Sequence, residues 1–260
     1  MRGCICPHPP LLIPEIGREN RDAVKTTIAA MELLSRLMGE PQTLVVISPH
    51  TAGFNGAHAI KIAPTLWGDF SAFNSPHVGR EFPCDTEFAE TLLELANDDS
   101  AVHIESSELD SLDHGALVPL SFLNPQSVVS LSVVASYEAH LGLGRLVRRC
   151  AESLGRDNLV FVASGDLSHR LTPSAPAGFD PAGHVFDDAV VELLSAGDFD
   201  GLLGLDRQMI AAAGECGLRS LIALGAFLGD DAAVDPRVLS YEGPFGVGYL
   251  VGLFGQPAAP

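Results

Sequence analysis

Residues 43–50 read TLVVISPH, a short strand-forming run that stops on a proline and a histidine. A run apolar on both faces and too short for a typical helix fits a strand buried on both sides of a parallel sheet. Upstream, residues 2–6 (RGCIC) read as a second strand, and residues 20–38 (NRDAVKTTIAAMELLSRLM) place apolar groups at helical spacing. Strand, crossover helix and strand together define a parallel unit. Downstream, strands are expected at 58–63, 101–105, 127–134 and 159–164, then near 236–241 and 247–254. Helices are expected near 85–97, at about 138–154, and through 185–228, with a loop around Phe70 and Phe73. Residues 165–184 carry Pro173, Pro176 and Pro181 and are expected to form a long functional loop. Residues 255–260 (GQPAAP) are expected to be a frayed tail. The fold class that follows is α/β: a single domain over 1–260, an α/β/α sandwich around a mostly parallel mixed sheet.

A chain of 260 residues with 47% hydrophobic content supports one domain with a sizeable core. It has no apolar run of roughly 18 residues, so no membrane helix is expected. The start, MRGCIC, enters a strand without a signal-peptide pattern, and the chain is read as cytoplasmic. Lys plus Arg number 15 against 33 Asp plus Glu, a net charge of −18 that opposes contact with nucleic acid. The five cysteines, Cys4, Cys6, Cys84, Cys150 and Cys216, are odd in number and lack paired-knuckle spacing, which argues against a disulfide framework. Cys4 and Cys6 alternate along one strand and read as small buried apolar side chains.

Five positions place a ligating or proton-transferring group where an apolar run gives way to a turn: His8, His50, His114, His169 and Glu242. Open α/β sheets bind ligands at such an edge. His8 in PHPP and His50 in SPH are restrained by neighbouring prolines and suit metal ligation. Glu242 follows the strand-like RVLSY, and a carboxylate there needs a cation or hydrogen-bond donors to offset desolvation. Two imidazoles and one carboxylate form the ligand set of non-haem iron(II) oxygenases, and the same set can serve zinc. His114 and His169 suit proton transfer, since imidazole titrates near neutral pH. Asp166 in SGDLSH reads as a cap of its turn, with orientation of His169 as the other role open to it.

The stretches PHPPLLIPEIG, VVISPH, LDHGALVPLSFL, ASGDLSH and SYEGPFGVGYLV, between residues 7 and 251, resemble the catalytic B subunit family of class III extradiol ring-cleavage dioxygenases, above all an uncharacterised branch of it. The resemblance implies an α/β sandwich that cleaves a catechol-like aromatic substrate with O2. It implies iron(II) held by His8, His50 and Glu242, His169 as an acid/base not attached to the metal, and His114 as a further active-site histidine. AGECGLRSLIALGAFLG (213–229) also resembles the cysteine-bearing stretch of Memo-like proteins. That likeness implies His8, His50 and Cys216 as ligands of copper in a redox or accessory protein without ring cleavage. Cys216 is thus open to a site role or to that of a buried thiol. No nucleic-acid or membrane partner is expected, while a homo-oligomer or a small second subunit stays open.

Overall fold

The computed structural model describes residues 1–51, 53–54, 56–233 and 235–255, so most of the tail expected at 255–260 lies outside the described residues. Its strands are β1 (Arg2–Cys6), β2 (Thr43–Ser48), β3 (His58–Lys61), β4 (Thr65–Phe70), β5 (Ser75–Pro83), β6 (Ile104–Ser107), β7 (Ser127–Ser132), β8 (Leu159–Ser164), β9 (Arg237–Glu242) and β10 (Tyr249–Gly255). Its helices are α1 (Pro14–Gly17), α2 (Lys25–Met38), α3 (Thr86–Asn97), α4 (His114–Phe122), α5 (Tyr137–Ser153), α6 (Ala182–Ser195), α7 (Arg207–Ala213) and α8 (Leu218–Leu228). Eight strands form one sheet in the order β6-β3-β7-β2-β8-β1-β10-β9. The central β7, β2, β8 and β1 are parallel. β3 meets β7 antiparallel, as β10 meets β1 and β9 meets β10, so β9 runs in the same sense as β1. The domain is the mixed, mostly parallel α/β sandwich expected from the sequence.

Every residue of β1, β2 and β8 is buried. Alternate side chains leave a strand by opposite faces, so both faces need an apolar cover. Ile5, Val45, Ile47, Phe161 and Ala163 enter one core with α3, α5 and α8. Cys4, Cys6, Leu44, Val46, Val160 and Val162 enter the other with α2 and α4. Cys4 and Cys6 share that face with their Sγ atoms 3.8 Å apart, and both are free and buried. Among the described residues no helix is long and apolar enough to cross a membrane.

Three elements differ from the sequence expectation. Residues 65–83, expected as a loop, form the antiparallel β4–β5 hairpin. Leu66 and Phe70 do alternate inward, but Gly68, Asn74, Pro76 and Gly79 punctuate the segment like a loop. The strand expected at 101–105 lies at Ile104–Ser107. α4 carries no amphipathic signature in the sequence, since HGALVPLSF is apolar around its circumference and contains Pro119. Its burial between sheet and hairpin explains that composition.

Candidate metal centre

Parallel pairing brings the C-terminal ends of β1, β2 and β8 to one edge of the sheet. His8 lies just past β1, and its backbone N–H donates to Asp166 Oδ1 at 3.0 Å. His50 lies just past β2, and its N–H donates to Ser48 Oγ at 3.2 Å. His114 is the first residue of α4, directly after the N-cap Asp113, which accepts the Ala116 N–H at 3.1 Å. One nitrogen from each of these three imidazoles lies within 4.8 Å of the others, a group that could hold a metal ion. The Nε2 atoms of His8 and His50 are 3.0 Å apart. His8 is 2% exposed whereas His50 is open to solvent, so the cluster is anchored inside and reachable from outside.

The hydrogen bonds fix which nitrogen of His8 is free. Ser164 Oγ donates to the carbonyl of Gly115, which can only accept. The single hydroxyl proton is thereby used, and the 2.9 Å contact with His8 Nδ1 must be a donation from the ring. His8 therefore carries its proton on Nδ1 and presents the Nε2 lone pair to the cluster. Ordering one ring nitrogen through a hydrogen bond on the other is how metal-binding histidines are held.

Electrostatics keep two of the imidazoles, His8 and His114, in their ligating form. Burial lowers the pKa of His8 to about 3, with His50 adding to the shift. Burial likewise lowers that of His114 to about 4, helped by His50 and His8. Both are neutral at pH 7 and need lose no proton to bind a cation. Burial raises Asp166 to about 6, against the opposing pull of the His8 N–H. Asp113 stays below the usual carboxylate range: burial pushes it up, but hydrogen bonds from Thr51, Ser48 and the Ala116 N–H outweigh that cost.

The remaining candidates lie at different distances from this cluster. Cys216 Sγ is 3.8 Å from His8 Nε2 and accepts the Asp166 N–H at 3.3 Å. A Cβ on Gly165 would stand 2.2 Å from Gly217 Cα, so two glycines let the cysteine segment close on the loop after β8. Burial, then Asp166, raises the Cys216 thiol well above its ordinary pKa. His169 sits in the 165–181 loop, which contains no helix or strand, and its buried Nδ1 has no hydrogen-bond partner among the described residues. It is near enough to His8 to lower that residue's pKa further. Glu242 is not in the donor group that gathers among the described residues, and its Oε1 accepts from the N–H and the hydroxyl of Thr27 on α2 at 2.8 and 2.6 Å. β9 lies two strand spacings from β1, about 10 Å. Asp166, favoured from sequence as a cap, instead fixes the His8 backbone.

Around the cluster, Phe73 from the turn of the hairpin packs edge-on against His114, with centroids 5.0 Å apart. The hairpin thus covers one side of the cluster. A separate cavity of about 700 Å³, lined in part by Ile13, Arg21, Arg36, Arg80 and Phe122, contains none of the five expected site residues. The sequence reading missed Asp113, Ser48 and Ser164. The DHG step was nonetheless a legible helix-start signal, an aspartate cap followed by the first helical turn.

The fold and cluster define an α/β sandwich with three imidazoles that could hold a metal ion at the C-terminal edge of its parallel strands. Residues 3–252 match the family described as the catalytic LigB subunit of aromatic ring-opening dioxygenase, and the chain belongs to that family. It is 33% identical to protein CA_C1420 of Clostridium acetobutylicum over 95% of its own length. It spans 56% of that relative. The crystal structure of the uncharacterized protein JW3007 from Escherichia coli K12 has the same fold, with a TM-score of 0.67 at 19% identity, over 98% of this chain and all of that one.

Proposed function

We propose that this chain cleaves a catechol-like aromatic ring beside its two hydroxyls, an extradiol reaction that consumes O2 and depends on iron(II) held by His8 and His50. The observation that carries the reading is the cluster of three imidazoles in a chain of the ring-opening dioxygenase family. Imidazole nitrogen suits iron(II), and the neutral state of His8 and His114 keeps their lone pairs available. His114 is the third donor within reach, while Glu242 is engaged by Thr27. Bound iron(II) would supply open positions where a catecholate and O2 meet. His169, with its unpartnered Nδ1, exchanges a proton with a substrate hydroxyl. Phe73 covers one side of His114 and limits water there.

The test is anaerobic purification with metal analysis, followed by O2 uptake and ring-opened product absorbance for the iron-loaded protein with a panel of catechols. Iron with O2 uptake supports the proposal; no uptake across the panel ends it. A second reading, the Memo-like copper protein, is favoured by the Cys216 thiol 3.8 Å from His8 Nε2. Thiolate is a soft ligand, and its raised pKa means that copper has to displace a proton on binding. Zinc as the resident metal would point instead to metal-assisted hydrolysis.

A further inference from the structure

We infer that the first turn of α4 is the frame that positions the histidine cluster, with Asp113 and Ser164 as positioning residues, an inference that rests on the cluster being a metal site. Asp113 Oδ1 accepts from Ser48 Oγ at 2.7 Å and from the Ala116 N–H at 3.1 Å, and its Oδ2 accepts from Thr51 Oγ1. Capping the helix requires only the bond from Ala116. The other two go to residues on either side of His50, and Ser48 Oγ in turn accepts the His50 N–H. His114 follows Asp113 directly in the chain. One half-buried carboxylate therefore fixes both the turn that bears one imidazole and the helix end that bears another.

Ser164 joins the third histidine to the same frame. Its Oγ accepts the hydrogen bond from His8 Nδ1–H and donates to the carbonyl of Gly115, the residue after His114. The fit at that point leaves no slack. A Cβ on Gly115 would stand 2.3 Å from Ser48 Oγ and 3.1 Å from His50 Cδ2. Three imidazoles from three separate segments thus refer to one helix end, and groups that orient ligating side chains govern how well the site holds a metal.

Anaerobic titration with Co(II), followed by its visible absorption, tests this on the full chain. Asp113→Asn and Ser164→Ala are each expected to weaken Co(II) binding by about 10–100-fold and to change the band shape. Ser164→Thr keeps the hydroxyl and is expected to restore binding. Asp206→Ala removes a comparable cap, one that accepts the Gln208 and Met209 N–H groups on α7, and should lower the melting temperature without touching Co(II) affinity. Unchanged affinity and spectrum in both Asp113→Asn and Ser164→Ala would overturn the inference and leave Asp113 a helix cap. Wild-type protein that binds no Co(II) would overturn the metal-site reading and this inference with it. If Asp113→Asn does not fold, Ser164→Ala decides by the same two results.

Discussion

Glu242 and Thr27 are joined through a single oxygen: Glu242 Oε1 accepts the Thr27 N–H at 2.8 Å and the Thr27 hydroxyl at 2.6 Å. Thr27 lies in the first turn of α2, where backbone N–H groups have no helical acceptor, and Val24 at the cap position supplies none. The carboxylate of β9 therefore caps α2 from across the fold, and its charge suits the positive end of the helix. Glu242→Ala is expected to cost about 1–2 kcal/mol of stability, the usual cost of losing a cap, while leaving metal content unchanged. Urea unfolding paired with metal analysis checks both halves. Loss of metal at unaltered stability would make Glu242 a ligand.

The donors themselves are separable by substitution. His8→Ala, His50→Ala and His114→Ala are each expected to abolish stoichiometric iron(II) binding with the fold retained, because each removes one of three imidazoles on a preassembled edge. Cys216→Ser is expected to leave iron binding intact. If the serine variant instead loses tightly bound copper from protein purified with that metal, the thiol is a donor and the copper reading replaces the iron one.

The sandwich was legible because β1, β2 and β8 are apolar on both faces, a pattern that only a doubly covered sheet satisfies. The positions of His8 and His50 followed from the same strands, since a residue just past a parallel strand must reach the shared edge. Glu242 shows where such logic stops. Its strand does end at that edge, yet a strand end does not encode the bonds its carboxylate makes to Thr27 on α2. The Ser164–Gly115 link was beyond reach for a similar reason. It joins β8 to α4 across 49 positions and depends on the helix docking angle, which no local pattern encodes.

A second histidine pair, away from the cluster, makes a pH prediction. His58 and His140 are fully buried with rings 5.0 Å apart, and burial, then the neighbouring His58, lowers His140 to about 3. Burial also lowers His58. In the unfolded chain both protonate near 6.5, so below that pH the unfolded state binds more protons and stability is lost as pH falls toward 3. His140→Gln removes one of these groups. The stability advantage of wild type over this variant should shrink by up to about 1.4 kcal/mol per pH unit between pH 6 and 4. Denaturant titrations at several pH values measure that slope, and parallel curves would show that His140 is not held neutral.

His169 tests the chemistry rather than the framework. It sits in the loop after β8, its buried Nδ1 has no partner among the described residues, and its influence on His8 places it beside the cluster, outside the donor group found among those residues. A group so placed can exchange protons with a bound hydroxyl while contributing nothing to metal affinity. His169→Gln is accordingly expected to keep full iron(II) content and the absorption of bound catecholate, yet to lower turnover by roughly 10²-fold or more, the scale of losing a positioned acid/base. Gln preserves much of the side-chain bulk, so a kcat loss with little change in KM would isolate proton transfer from binding. Loss of metal would move His169 into the ligand set. Normal turnover would pass the proton to water, and the assignment of His169 would be withdrawn.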